Sequence, residues 1–238
     1  MLLFYIRHGQ PIYEPDSLTE TGKLQAKALS ERLCSYGIDE IYSSSAIRAV
    51  DTARPTADVL HKEIDVLDWC NEWHAWQELT LTDENGRPRA WLYEDEEMRK
   101  KLALPEIAAL GKKWYEHELF SHHDYKAGIE RIYGETYKFL ARLGYEHDEK
   151  SNSYKAVAPN DKRIALFAHE GFGMAFMSAV LDIAYPLFCA HFGFGHSSMT
   201  VIDFDGRETV VPKVLQLSND SHLYRSGLST EYNGKYLF

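Results

Sequence analysis

Residues 2–62 switch repeatedly between strand-like and helix-like periodicity, and no other feature restricts the fold as strongly. Leu2–Ile6 is a short apolar run of aromatic and branched residues, the pattern of a strand covered on both faces. "SLTETGKLQAKALSERLCSYG" then predicts a helix: Thr19 caps it, Glu20 sits near its positive end, Leu24, Ala28 and Leu29 share a face, and Gly37 closes it. "IDEIYSS" predicts a second strand. Ser44 or Ser45 can cap the helix that follows through "AIRAVDTARPTADVLHK", where Pro55 is expected to kink or divide it. "RIALFA" at 163–168 is a further buried strand, followed by a turn and the apolar helix "MAFMSAVLDIA". The strand-like segments "MTVIDFDG" and "ETVVPKVLQL" meet at an Asp-Gly hairpin signal. This order predicts an α/β three-layer sandwich, a largely parallel central sheet flanked by helices.

A chain of 238 residues with 45% hydrophobic content is long enough for one large α/β domain, and one domain over 1–238 is expected. Residues 77–160 read as an insertion forming a helical cap over one end of the sheet. Within it 87–145 shows helical periodicity with abundant charge, and the polar stretch 147–162 predicts a flexible loop.

The formal net charge of −10 repels phosphate backbones, and no Lys/Arg run supplies a local basic patch, so a nucleic-acid partner is not expected. An anionic ligand must be gripped by a few placed arginines. Cys34, Cys70 and Cys189 fit neither a disulfide framework nor a zinc site, which points to a reducing, cytoplasmic setting. The apolar start is too short for a signal-peptide core, and the apolar segment 174–188 is interrupted by Asp182 and Pro186, so no membrane partner is expected. A homodimer is the base-rate expectation for assembly.

In an open α/β sheet, ligands gather beyond the carboxyl ends of the strands, where helix N-termini and free loop backbone converge. "RHG", residues 7–9, stands there after the first strand, and "AHEGFG" after the strand at 163–168. If those strands are neighbours, His8 and His169 face one crevice, and Arg48, at the start of a helix after the second strand, leans toward it. Two arginines and two histidines suit a doubly charged tetrahedral anion, because guanidinium offers paired donors and imidazole a donor or a nucleophile. Rival motifs fail. "HEGFG" lacks the second histidine of a zinc helix, "GFGM" and "GFGH" lack the third glycine of a dinucleotide loop, and "EHELFSHH" reads as a solvated helix end.

"RHG", "LTETGKLQA", "YSSSAIRAVDTA", the second histidine after a late strand and "SNDSHL" at 218–223 together resemble the histidine phosphatase superfamily, the phosphoglycerate mutase-like family, in its phosphatase branch. The resemblance implies a hydrolase of the histidine acid phosphatase type, a phosphomonoesterase acting on a small organic phosphate through a phosphohistidine, with no metal and no cofactor. His8 would be the nucleophile. Arg7, Arg48 and His169, with Gly9 and Gln10 of the first loop, would hold the phosphate, His169 also counting as catalytic. Glu72 would be the general acid, with Asp68 and Glu78 as competitors. Trp69, Trp73 and Trp76 offer an apolar wall that would raise its pKa.

Two departures from the family pattern stand out. Glu170 follows the second histidine where glycine is common, and it must point away or alter the pocket. The loop after "RHG" offers Gln10, Tyr13 and Asp16 but no asparagine. A mutase-like phosphotransfer isomerase and a catalytically silent phosphate-binding regulatory protein are the alternative readings. Substrate choice is expected from the cap, where Tyr115, His117, His122, His123, Tyr125 and Arg131 are candidates.

Overall fold

The computed structural model of the protein describes residues 1–205, 208–232 and 236–238. The first half runs β1 (Leu2–Arg7), α1 (Glu20–Tyr36), β2 (Glu40–Ser44), α2 (Ile47–Leu60), β3 (Ile64–Leu67) and α3 (Glu72–Glu78). The middle holds α4 (Glu96–Leu102), α5 (Pro105–Ala109), α6 (Tyr125–Arg142), β4 (Tyr145–Asp148) and β5 (Ser153–Ala156). The chain then continues through β6 (Arg163–Ala168), α7 (Glu170–Leu181), α8 (Tyr185–His191), β7 (Met199–Asp203), β8 (Thr209–Val210), β9 (Lys213–Asn219) and α9 (Ser221–Arg225).

Six strands form the central sheet in the order β9-β7-β1-β6-β2-β3. β1, β6, β2 and β3 are parallel, while at one side β7 pairs antiparallel with β1 and β9 pairs antiparallel with β7, so β7 alone of the six runs against the others. Alternation along β1 sends its side chains to two cores. Phe4 and Ile6 join Leu29, Leu33, Ala53 and Ala57 of α1 and α2, whereas Leu3 and Tyr5 join Phe172 and Phe176 of α7 and the residues of the middle segment. This is the expected three-layer α/β arrangement. Among the described residues no helix is long and apolar enough to cross a membrane.

Thr19 caps α1 by accepting from Gly22 N–H, and Gly37 ends it in the left-handed conformation at φ 74°. Leu24 is 52% exposed, because the buried stripe runs through Gly22, Gln25, Leu29 and Leu33 and leaves it outside. Pro55 does not divide α2, and it stands off the buried Ala49, Ala53, Ala57 stripe. Neither serine is the N-cap residue of that helix. Ala46 occupies the position, Ser44 Oγ accepts Ala46 N–H at 3.2 Å, and Asp16 Oδ2 accepts Ile47 N–H at 2.7 Å.

The middle segment departs from the expected run of long helices over 87–145. Only α6 is long. A hairpin of Thr80–Thr82 with Pro88–Trp91 comes first, and α4 and α5 are short because Pro105 restarts the helix at its first turn and Gly111 stops it at φ 56°. Two 3₁₀ turns, Gly111–Glu116 and Glu118–Phe120, complete the approach to α6. The "EHELFSHH" stretch is no simple solvated helix end, since Phe120 is buried against Trp114 at a ring distance of 4.7 Å. The expected loop at 147–162 is largely structured: β4 and β5 pair and form a three-stranded sheet with β8, seating Tyr145 and Tyr154 on Phe204. Polarity misled there because each strand buries few residues, Tyr145 in β4 and Ser153 and Tyr154 in β5, and the rest are polar or partly exposed.

The C-terminal strand expectation is also modified. "ETVVPKVLQL" divides at Val211–Pro212, β8 pairing with β5 and β9 with β7. Proline has no N–H to continue a ladder. Gly206 of the expected hairpin turn lies outside the described residues.

Candidate active site

Register brings the site together. Arg7 pairs with Ala168 as the parallel strands end, and His8 N–H donates to the Ala168 carbonyl at 3.0 Å. His8 and His169 therefore leave adjacent strand ends together, with ring centroids 5.1 Å apart and edge to face. Both are buried.

His8 has a defined tautomer. Its Nδ1 lies 2.7 Å from the Gly9 carbonyl, which can only accept, so Nδ1 carries the hydrogen and Nε2 keeps its lone pair. Burial, then the neighbouring His169, Arg7 and Arg48, hold its pKa well below the ordinary histidine value, so the ring is neutral near pH 7. Burial, Arg48 and Arg7 do the same to His169. His169 Nε2 meets Ser44 Oγ at 2.7 Å. That hydroxyl already accepts from Ala46 N–H and can donate to Nε2, leaving the His169 hydrogen on Nδ1. Buried His169 Nδ1 has no hydrogen-bond partner.

Arg48, in the first turn of α2, donates through Nε to His8 Nε2 at 3.2 Å, through Nη1 to Asp16 Oδ1 at 2.8 Å and through Nη2 to Glu72 Oε2 at 3.4 Å. Arg7 donates through Nη1 to the Phe194 carbonyl at 2.5 Å and pairs with Glu170 Oε2 at 2.7 Å. Its buried Nε has no partner.

Glu72 opens α3, with its carboxylate at the start of α7: Oε1 accepts Gly171 N–H at 2.8 Å, and Oε2 lies 3.5 Å from His169 Nδ1. Burial raises its pKa, against the opposing pull of Arg48, Arg7 and the Gly171 amide. A side chain at Gly171 would run into the Trp91 ring, with a Cβ 2.3 Å from Cζ2, so only glycine lets the α7 backbone reach Glu72 this closely. The competing acids are engaged elsewhere. Glu78 is held in a two-point pair by Arg131 at 2.7 and 2.6 Å, and Asp68, 74% exposed, bonds Ser45 and His74. The expected tryptophan wall is incomplete: Trp73 is 64% exposed, while Trp69 and Trp76 pack against the core.

Gly9 and Gln10 take a different part from the expected one. Gly9 N–H is spent on Thr52 Oγ1 at 3.0 Å and Gln10 N–H on Gln25 Oε1 at 2.7 Å, so this loop shapes the pocket without a free backbone donor from either residue. A Cβ on Gly9 would stand 2.7 Å from the Gly22 carbonyl oxygen, which is why glycine is needed there. Gln10 lines the adjoining cleft, where its Oε1 accepts from Thr19 Oγ1 at 2.8 Å.

That cleft, of about 1110 Å³, opens beside Arg7 and is walled by Tyr13, Tyr93, Glu94, Glu170, Phe192 and His196 among others. The cap residues expected to line it do not. Arg131 is bound to Glu78 and the Trp69 carbonyl, Tyr115 to Glu130, Tyr125 to the Thr80 carbonyl, His122 to Tyr125, His123 to the Glu78 carbonyl, and His117 caps a 3₁₀ turn. Tyr93, Glu94 and Arg99 supply the middle segment's share. Sequence reasoning also passed over His196. It sits in the "GFGH" stretch set aside as a failed dinucleotide loop, accepts from Arg7 Nη2 through Nε2 at 3.1 Å, and is pushed down to about 3 by burial and Arg7. Glu170 does not point away. It faces Arg7 in the cleft, and its Oε1 accepts Phe194 N–H at 3.1 Å.

Ligand atoms of His8, Glu72 and His169 all lie within 4.8 Å of one another, a spacing a metal ion could span. Arg48 donates to both His8 Nε2 and Glu72 Oε2, occupying the lone pairs an ion would need and placing a guanidinium charge against it. The constellation suits an anion better.

The sequence model described as histidine phosphatase superfamily (branch 1) matches residues 3–118. A probable phosphatase of Schizosaccharomyces pombe is 41% identical over 64 residues, a stretch covering 23% of this chain and 31% of that protein's length. Among solved structures, phosphoserine phosphatase of Entamoeba histolytica superposes with a TM-score of 0.58 at 16% identity, covering 93% of this chain and 98% of that one. A mycobacterial glucosyl-3-phosphoglycerate phosphatase reaches 0.56 at 20% identity, over 92% and 98% of the two chains. The α-ribazole phosphatase of Shigella flexneri reaches 0.55 at 19% identity, over 92% and 97%. At these identities the structural likeness speaks to the fold.

Proposed function

We propose, from the match of residues 3–118 to the histidine phosphatase superfamily and from the site itself, that this chain is a member of that superfamily and hydrolyses a small organic phosphate monoester through a phosphohistidine on His8. The observation that carries the reading is the His8 tautomer. Nδ1–H is committed to the Gly9 carbonyl, so Nε2 holds the lone pair in a ring that stays neutral at physiological pH; Arg48 Nε holds that lone pair at 3.2 Å, and a bound phosphate would draw the guanidinium onto its own oxygens and free Nε2 for attack.

In the first step His8 Nε2 forms a bond to phosphorus while the bond from phosphorus to the ester oxygen breaks. The Glu72 carboxyl gives the departing oxygen its proton. Burial supports that role by keeping the acid form present at higher pH than an ordinary glutamate allows. In the second step the Glu72 carboxylate takes a proton from water, the water oxygen bonds phosphorus, and the nitrogen–phosphorus bond breaks to release inorganic phosphate. Arg7, Arg48 and His169 Nδ1–H stabilise the non-bridging oxygens through both steps. With two guanidiniums in place the electrostatic role of a metal is filled, and no metal is part of the proposal. The segment 77–160 acts as the cap in this reading, supported by Tyr93, Glu94 and Arg99 in the cleft wall. Three unpaired cysteines support a cytoplasmic setting.

The test is release of phosphate from p-nitrophenyl phosphate between mildly acid and neutral pH, with a chelator and without a bisphosphate primer, comparing wild type with His8→Ala. Chelator-resistant turnover that disappears in the variant, with acid-labile phosphate trapped on wild-type protein alone, is expected. Turnover only with a primer would indicate a phosphotransfer isomerase. Phosphate binding without turnover would indicate a silent binder.

A further inference from the structure

Resting on that reading, one feature of the same site narrows the substrate. Around the place where the phosphate must sit, Glu72 is in the acid form that protonates the leaving group, and Arg7 and Arg48 are already matched by Glu170 and Asp16. Glu170 is fixed by the Arg7 guanidinium on one side and the Phe194 amide on the other. A phosphate dianion alone would leave its own charge uncompensated in a poorly solvated place, where such charge is costly. The unpartnered buried Arg7 Nε and His169 Nδ1 mark the phosphate end of the site. The ester's other end must then extend into the cleft that Glu170 shares with Glu94 and Glu231.

We infer that the preferred substrate is a phosphate ester whose leaving group carries an ammonium on a short chain, with Glu170 as the residue that selects it. The cleft wall fits such a group. Tyr13, Tyr93, Phe192 and Tyr232 line it, so aromatic side chains accompany the carboxylates, and the Tyr13 ring already lies 5.4 Å from a cation, the Arg48 guanidinium. Arg99, on the exposed last turn of α4, is the other guanidinium in the lining besides Arg7. Burial is the main cause that raises the Glu94 carboxyl, with Glu170 adding to it against the Trp91 amide and Arg7. An ester carrying a carboxylate would instead meet like charge from Glu170 and Glu94.

The test is calorimetric binding of two non-hydrolysable ligands of nearly equal shape, 2-aminoethylphosphonate and propylphosphonate, to the full-length protein. Wild type is expected to bind the amino compound about tenfold or more tightly, the scale of a close, partly desolvated charge pair. Glu170→Gln should bring that ratio close to unity, and Glu94→Gln, a second variant in case the first misfolds, should reduce it. Equal or weaker binding of the amino compound by wild type, including no binding of either, overturns the inference. So does a ratio that survives both substitutions. Because binding needs no turnover, this result stands apart from the phosphatase reading, which p-nitrophenyl phosphate hydrolysis reports separately.

Discussion

Arg48 Nε donates to His8 Nε2 at 3.2 Å, so the lone pair assigned to attack and the cation assigned to the phosphate oxygens already touch. The same guanidinium reaches Asp16 and Glu72 with its two terminal nitrogens, linking the strand-end loop, the first turn of α2 and the acid on α3.

Arg48→Lys keeps the charge but loses this three-way fork. We expect kcat/KM to fall by about 10²–10³, the loss seen when one donor to a developing oxyanion is removed. Steady-state kinetics beside a thermal melt would check it. A loss below tenfold in a folded protein would show that one point charge suffices.

Glu72→Gln should separate substrates by leaving group. Alkyl phosphates need a proton on the departing oxygen and should slow by about 10²–10⁴, while aryl phosphates should change far less. In the wild type, kcat for alkyl esters should fall as pH rises through the raised Glu72 pKa, because the acid form is lost, and the variant should lack that limb. Equal losses on both ester classes would remove Glu72 from the acid role.

Folding stability should decline in mild acid. Burial holds His8 and His169 well below their ordinary pKa and pushes His196 to about 3 and His222 to about 4. In the unfolded chain these rings protonate near pH 6.5, so the unfolded state binds more protons there, and stability present above that pH is lost as pH falls toward the folded values. Urea midpoints measured from pH 7.5 to pH 5 test the sign. His222→Gln, which keeps a polar partner for Ser197 Oγ 3.0 Å away, should flatten the slope. Stability that rises on acidification would contradict the neutral assignment of these rings.

Trp114 anchors the middle segment to the main core. It is fully buried, stacked on Tyr185 of α8 at 5.3 Å and packed on Phe120 and Tyr125. Trp114→Ala should cost about 3–5 kcal/mol, as large buried aromatics do. Chemical denaturation measures it. A loss under 1 kcal/mol would mean that the segment is held on mainly by other contacts.

The conserved physics of strands and helices made much of the framework readable in the chain itself. The apolar runs at Leu2–Ile6 and 163–168, the Thr19 cap and the Gly37 stop are local properties, and each occurs where propensity and periodicity placed it. The middle segment was less legible. Charge-rich helical periodicity continued across Pro105 and Gly111, which break the helix, and the two short strands between Tyr145 and Ala156 were masked by their polar residues.

For the site, residue types and their positions after strands were enough to nominate Arg7, His8, Arg48 and His169, while Glu72 was nominated only by the family resemblance. Parallel pairing of β1 with β6 then brought the two histidines side by side. The direction of Glu170, the support of Arg7 by His196 and the choice of Tyr93, Glu94 and Arg99 over the other middle-segment candidates lie beyond such reading. The sequence by itself determined which chemical groups stand at the strand ends, because strand and helix periodicity are local. Only the tertiary structure decided which carboxylate meets which guanidinium, because a long side chain's direction depends on partners from segments far apart in the chain, as Glu170 and Phe194 show around Arg7.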